Sequence, residues 1–119
     1  MSVTSNITVT ITQTGDADNI YSEPAQPNTN APTAISNVAL TAGTTTITCP
    51  STTVYQARAA LIVPPTNNAG TITLNGASGD TGIALNGVNP TLVTFSTTAP
   101  PSSFLLVAST TTNIQIFWS

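Results

Sequence analysis

Apolar and polar positions alternate from the start of the chain. Across residues 3–13, Ile7, Val9 and Ile11 fall on one side, and Thr8, Thr10 and Thr12 fall on the other. Period two with β-branched residues at each step predicts a half-buried strand. The pattern stops at residue 14. Through 14–33, Ile20 and Tyr21 are the sole sizeable apolar groups, set among Gly15, Pro24, Pro27, Pro32 and the acids Asp16, Asp18 and Glu23. That composition predicts an extended linker. About twenty structureless residues are unusual inside a compact domain. Residues 1–33 are therefore expected to form an N-terminal strand and flexible arm that reaches a neighbour.

From residue 34 short apolar runs follow one another quickly. Strands are predicted over 35–41, 44–49, 53–63, 70–75, 82–86, 91–96, 103–109 and 112–118, punctuated by Pro50, Pro64-Pro65, Pro90 and Pro100-Pro101. Proline donates no ladder hydrogen bond, so it belongs between strands or at edges. No stretch keeps a 3.6-residue period with capping signals, so no long helix is expected. Eight to nine short strands at regular spacing predict an all-β domain over 34–119, a β-sandwich or jelly roll. Ile72-Thr73-Leu74-Asn75-Gly76 is echoed by Ile83-Ala84-Leu85-Asn86-Gly87. Asn-Gly favours two-residue type I′ turns, so a tight turn is expected after each copy.

Composition narrows the chemistry. The 119 residues include one cation, Arg58, and four acids, with no His; Thr, Ser and Asn number 25, 11 and 11. An ordinary domain carries roughly 25% charged residues; this one carries 4%. Without His there is no base for a Ser-His-Asp or Cys-His arrangement, and no His-ligated zinc. One Arg makes no footprint for a phosphate backbone, so nucleic acid is not an expected partner. No apolar run approaches the ~18–20 residues of a membrane-spanning helix. The opening residues Met1-Ser2-Val3-Thr4-Ser5 lack a basic region and an apolar core, so the chain is expected to be made in, and not exported from, the cytoplasm. Cys49 has no partner in the chain and is expected to be a small core residue.

Four groups of residues offer candidate chemistry. Asp80-Thr81-Gly82 is the tripeptide of aspartic proteases, whose dimeric forms share a proton between one Asp from each subunit. Ser78-Gly79 before it and Ile83 after it fit instead a Gly-rich turn whose Asp caps its own backbone. Asp16-Ala17-Asp18-Asn19 has alternating ligands for Ca²⁺, but the sixth position of the loop is Tyr21 where an EF-hand needs Gly. Thr8, Thr10, Thr12 and Thr14, then Thr44, Thr46 and Thr48, then Thr71 and Thr73, line strand faces as in ice-binding surfaces, though without a regular repeat. Arg58 is read as a salt-bridge or carbonyl partner, or as an inter-subunit contact. No catalytic, cofactor or metal residue is assigned, and the chain is expected not to be an enzyme.

The segment 70–119 carries Gly76-Ala77-Ser78-Gly79-Asp80-Thr81-Gly82-Ile83-Ala84-Leu85, then Asn89-Pro90-Thr91-Leu92-Val93. It continues with Ser103-Phe104-Leu105-Leu106-Val107-Ala108-Ser109 and Ile114-Gln115-Ile116-Phe117-Trp118. These turn-and-strand patterns resemble small virion structural proteins of tailed bacteriophages, of the capsid decoration (cement) or head-fibre type. The resemblance implies a homo-oligomeric, commonly trimeric, β-domain in the virion, bound to the major capsid protein or to other virion proteins. It transfers no catalytic residue. An uncharged surface suits such packing, since few ions are desolvated on contact. Candidate interface residues are Ile7, Val9, Ile11 and Tyr21 in the arm, with Arg58, Ile116, Phe117 and Trp118 in the domain. An adhesin-like module binding host glycans is the alternative, with Tyr21, Tyr55 and Trp118 as stacking rings; the Asp80 protease is a remote third.

Overall fold

A computed structural model describes residues 8, 10–12, 20–22, 35–52 and 56–119. All regular structure among them is β. Strands β1 (Thr10–Thr12) and β2 (Ile20–Ser22) pair antiparallel with Ile11 opposite Tyr21. β1 lies within the first predicted strand. β2 falls inside 14–33, read from composition as an extended linker or arm, and begins at that segment's two sizeable apolar residues. The remaining arm positions lie outside the described residues.

Eight further strands follow in order: β3 (Ile35–Leu40), β4 (Gly43–Thr48), β5 (Ala59–Val63), β6 (Ile72–Asn75), β7 (Ile83–Ala84), β8 (Thr91–Thr94), β9 (Ser103–Ala108) and β10 (Thr112–Trp118). They form two four-stranded sheets, ordered β3-β10-β5-β8 and β4-β9-β6-β7. The antiparallel pairs β3–β10, β4–β9, β5–β8 and β6–β7 nest inside one another. The chain is laid out as one long hairpin with its tip between β6 and β7, rolled so that alternate rungs land in opposite sheets. That nesting is the jelly-roll arrangement of a β-sandwich.

The local reasons are those of the sequence. Val, Ile and Thr fill a pleated, half-buried surface well, and every proline among the described residues lies between strands. In β10 the alternation is complete: Thr112, Ile114, Ile116 and Trp118 are buried, while Asn113, Gln115 and Phe117 face outward. The inward side chains of both sheets meet in one core built on Leu40, Ile47, Ile62, Ile72, Phe104, Leu106, Ile114, Ile116 and Trp118.

Three local expectations are corrected. Of the strand predicted over 53–63, residues 53–55 lie outside the described residues, and 56–58 precede the regular strand, which starts at Ala59. Upstream, the Ala57 N–H donates to the Pro50 carbonyl (3.1 Å) and the Arg58 N–H to Ser119 O (2.6 Å), and Ser51 bridges Gln56 in isolation. The strand predicted over 82–86 shrinks to Ile83–Ala84, because Gly82 sits at φ +74° and Asn86 closes a turn. The Asn-Gly pairs do not form two-residue type I′ turns. Gly76 and Gly87 are not at positive φ, and the β6–β7 loop runs from Gly76 to Gly82. Asparagine acts through its side chain at the second site: Asn86 Oδ1 accepts the N–H groups of Val88 (3.0 Å) and Asn89 (2.9 Å), an Asx turn.

Cys49 is buried in the core, as expected, and burial raises its thiol pKa above the ordinary value. The folded state therefore keeps the proton longer than the unfolded chain does. The stabilising contribution is complete below the ordinary thiol value of about 8.5 and declines as pH rises past it. A urea-midpoint series from pH 7 to 10.5 is expected to fall above that value, and to fall less in Cys49→Ala. Equal alkaline slopes in the two proteins would sink this account.

Candidate functional site

The β6–β7 loop, residues 76–82, is closed by its own acid. Asp80 Oδ2 accepts the Ala77 N–H (2.7 Å), and the Asp80 N–H donates to the Ala77 carbonyl (3.3 Å). Asn75 holds the loop down: its Nδ2 donates to the Asp80 carbonyl (2.9 Å). Asn75 lies on the outward side of its strand yet is only 7% exposed, because the loop folds over it. Its Oδ1 is buried without a hydrogen-bond partner, against the Cα of Gly82. Asp80 thus caps backbone, as the sequence reading expected. It is the sole side-chain carboxylate among the described residues, and no group of three His, Cys, Asp or Glu gathers among them.

Beneath this loop the two sheets part. β7 is the edge of one sheet and β8 the edge of the other. With two residues, β7 is too short to close the gap. Ile83 faces the same way as its partner Leu74, yet it is 67% exposed. The result is a cleft of about 530 Å³, floored by Leu74, Val93, Phe95 and Phe104 and rimmed by Ile83 and the 76–82 loop. An aromatic series leads inward from it, Phe95 to Phe104 (6.1 Å between ring centres) and Phe104 to Trp118 (6.2 Å). An apolar floor beside one amide and one carboxylate is the usual character of a small-ligand cleft. Nothing in it supplies an acid–base pair.

The candidate interface residues are scattered by the fold. Ile7 and Val9 lie outside the described residues. Ile11 and Tyr21 sit opposite one another in the β1–β2 ladder. Arg58 is exposed just before β5, with its carbonyl accepting the Phe95 N–H (2.7 Å). Ile116 and Trp118 are core residues of the single chain. Alternation in β10 points both into the domain's own core, where they are 0% and 7% exposed. Trp118 also satisfies its indole N–H internally, donating to Ser36 Oγ (2.9 Å). Phe117, the outward residue between them, is 38% exposed and remains available.

The outer faces of the two sheets differ. On β4, Thr44, Thr46 and Thr48 are exposed as the sequence implied, but their cross-strand partners are Val107, Leu105 and Ser103. The β4 threonines are therefore separated from Thr73 on β6 by the apolar residues of β9, and no sheet-wide lattice forms. On the other sheet, Ile35 pairs with Phe117, Phe117 with Leu61, and Leu61 with Leu92. Directly paired residues of antiparallel strands point to the same side, so these four form one apolar row across all four strands. Sequence reasoning missed both the row and the cleft. Each depends on register between segments far apart in the chain.

No family model matches the chain, and neither does any curated protein or solved structure. No helix among the described residues is long and apolar enough to cross a membrane.

Proposed function

We propose that this chain is a non-catalytic structural protein of a bacteriophage virion, which binds the capsid surface as a homo-oligomer and strengthens the shell. The observation that carries the reading is a jelly-roll sandwich whose outward faces are almost free of charge: residues 34–119 contain Arg58 and Asp80 as their only charged side chains. Jelly rolls recur in capsid and lectin domains, and a charge-free surface packs against neighbours with little ion desolvation. The resemblance of 70–119 to capsid decoration proteins points the same way.

The experiment is mass spectrometry of purified virions of the phage that encodes the chain. Many copies in fixed ratio to the major capsid protein are expected; absence from the particle, or a few copies at one vertex, overturns the reading. The acidic arm is given its own test. Residues 34–119 alone are expected to keep the far-UV dichroism of a β-domain and to lose particle affinity in co-sedimentation. Full binding by the shortened chain would remove the arm from the interface.

One observation favours a second reading, a module that binds host glycans. Phe95, Asn75 and Asp80 all line the cleft, and sugars are held by aromatic faces together with amide and carboxylate groups. A glycan array without hits decides for the structural role.

A further inference from the structure

The row Ile35–Phe117–Leu61–Leu92 crosses the outer face of the β3-β10-β5-β8 sheet from edge to edge. Ile35, Phe117 and Leu92 are 45%, 38% and 39% exposed, and Leu61 is half-buried between them. Scattered exposed apolar residues mean little, but a contiguous patch rimmed by polar groups marks a contact site. The neighbouring row is uncharged and partly polar: Gln115 lies between Asn37 and Val63, and Gln115 Nε2 donates to Asn37 Oδ1 (3.2 Å). The last row pairs Asn113 with Ala39. Among the described residues, none of the outward positions of these four strands is charged.

From this geometry we infer that the face is a homotypic interface, on which a second copy of this chain packs through the same apolar row. The inference rests on the homo-oligomer part of the function proposed above and assigns it a surface. Charge selects the occupant. A partner bringing ions to this face would have to desolvate them against a surface with no counter-charge. The same face of another copy brings none, and the low charge of residues 34–119 leaves little repulsion between copies. A self-complementary patch of this kind is what a twofold contact needs. Area sets the strength. Four strands about 4.8 Å apart and about 20 Å long give a flat face of roughly 400 Å² per copy. Side-chain relief adds to that, and the smallest stable interfaces use about 600 Å² per partner. The contact is therefore expected to be reversible and concentration-dependent, and insensitive to salt.

The test is sedimentation velocity on the full chain over a hundredfold concentration range, with Phe117→Asp, Leu92→Asp and, on the other sheet's outer face, Thr46→Asp. Wild type and Thr46→Asp are expected to associate as concentration rises. Phe117→Asp and Leu92→Asp are expected to stay monomeric with unchanged dichroism; two sites on one face guard against a folding defect in either. Association that survives both substitutions overturns the assignment of this face while leaving a homo-oligomer standing. A wild type that is monomeric throughout overturns the interface itself. Particle co-sedimentation of the same proteins is scored separately, so loss of capsid binding alone is not mistaken for loss of self-association.

Discussion

Trp118→Ala is expected to remove about 3–5 kcal/mol of stability, the range for deleting a large buried aromatic. Domains of this size hold about 5–15 kcal/mol in total, so the variant should be partly unfolded near 37 °C. Three contacts are lost together. The ring packs beside Phe104, the indole N–H loses Ser36 Oγ, and the inward face of β10 ends in a void opposite Ala60. Trp118→Phe keeps much of the packing and gives up the hydrogen bond, so it should cost less. Phe117→Ala, one residue away on the opposite face, should change monomer stability little. Urea titration followed by far-UV dichroism reads all three. A Trp118→Ala midpoint indistinguishable from that of Phe117→Ala would refute the inward assignment of β10.

Gly82→Ala is the second large effect. Gly82 holds φ +74°, which costs a side-chain-bearing residue roughly 1–3 kcal/mol. Its missing Cβ points where there is no room: the added carbon would lie 2.7 Å from the Leu74 carbonyl oxygen and 2.7 Å from the Thr73 methyl, and against Asn75 Oδ1. Overpacking adds about 1–3 kcal/mol. The other glycines of the loop calibrate the result. Gly79 is at φ +90° in open space, so Gly79→Ala should carry only the conformational part. Gly76 is at ordinary φ, and a carbon added there would meet only Asp80 Oδ2, at 3.5 Å, so Gly76→Ala should be close to neutral. Denaturation midpoints should rank Gly82 below Gly79 below Gly76. Equal costs at the three positions would contradict the loop geometry.

Much of this architecture was legible in the sequence. Strands over 35–41, 44–49, 91–96, 103–109 and 112–118 were visible because alternation and proline placement are local signals, and they met β3, β4, β8, β9 and β10 within two residues at either end. Errors arose where main-chain partners lie far off. Ala57 and Arg58 look like strand continuation, but their N–H groups go to Pro50 and Ser119. Asn75-Gly76 looks like a tight turn, but the chain runs on to Gly82 before pairing again. Alternation also sorted the candidates on β10. With Ile114 inside, Ile116 and Trp118 had to be inside too, and only Phe117 was left for contact. What no local pattern holds is the row joining Ile35, Phe117, Leu61 and Leu92. Each residue is unremarkable in its own strand, and register alone assembles them.

The nesting of strand pairs also dictates an order of events. β6 and β7 close across a seven-residue loop, whereas the Trp118–Ser36 contact joins residues 82 apart. Closing the outer pair first would carry the largest loop entropy, so folding is expected to run from the tip outward, and such non-local pairing is slow. β10 also sits between β3 and β5. During synthesis the sheet lacks its central strand until residue 118 has left the ribosome, and until then the edges of β3 and β5 stand open. The sheet therefore cannot be completed until β10 has emerged, and the nascent chain spends that interval exposed to pairing with its neighbours.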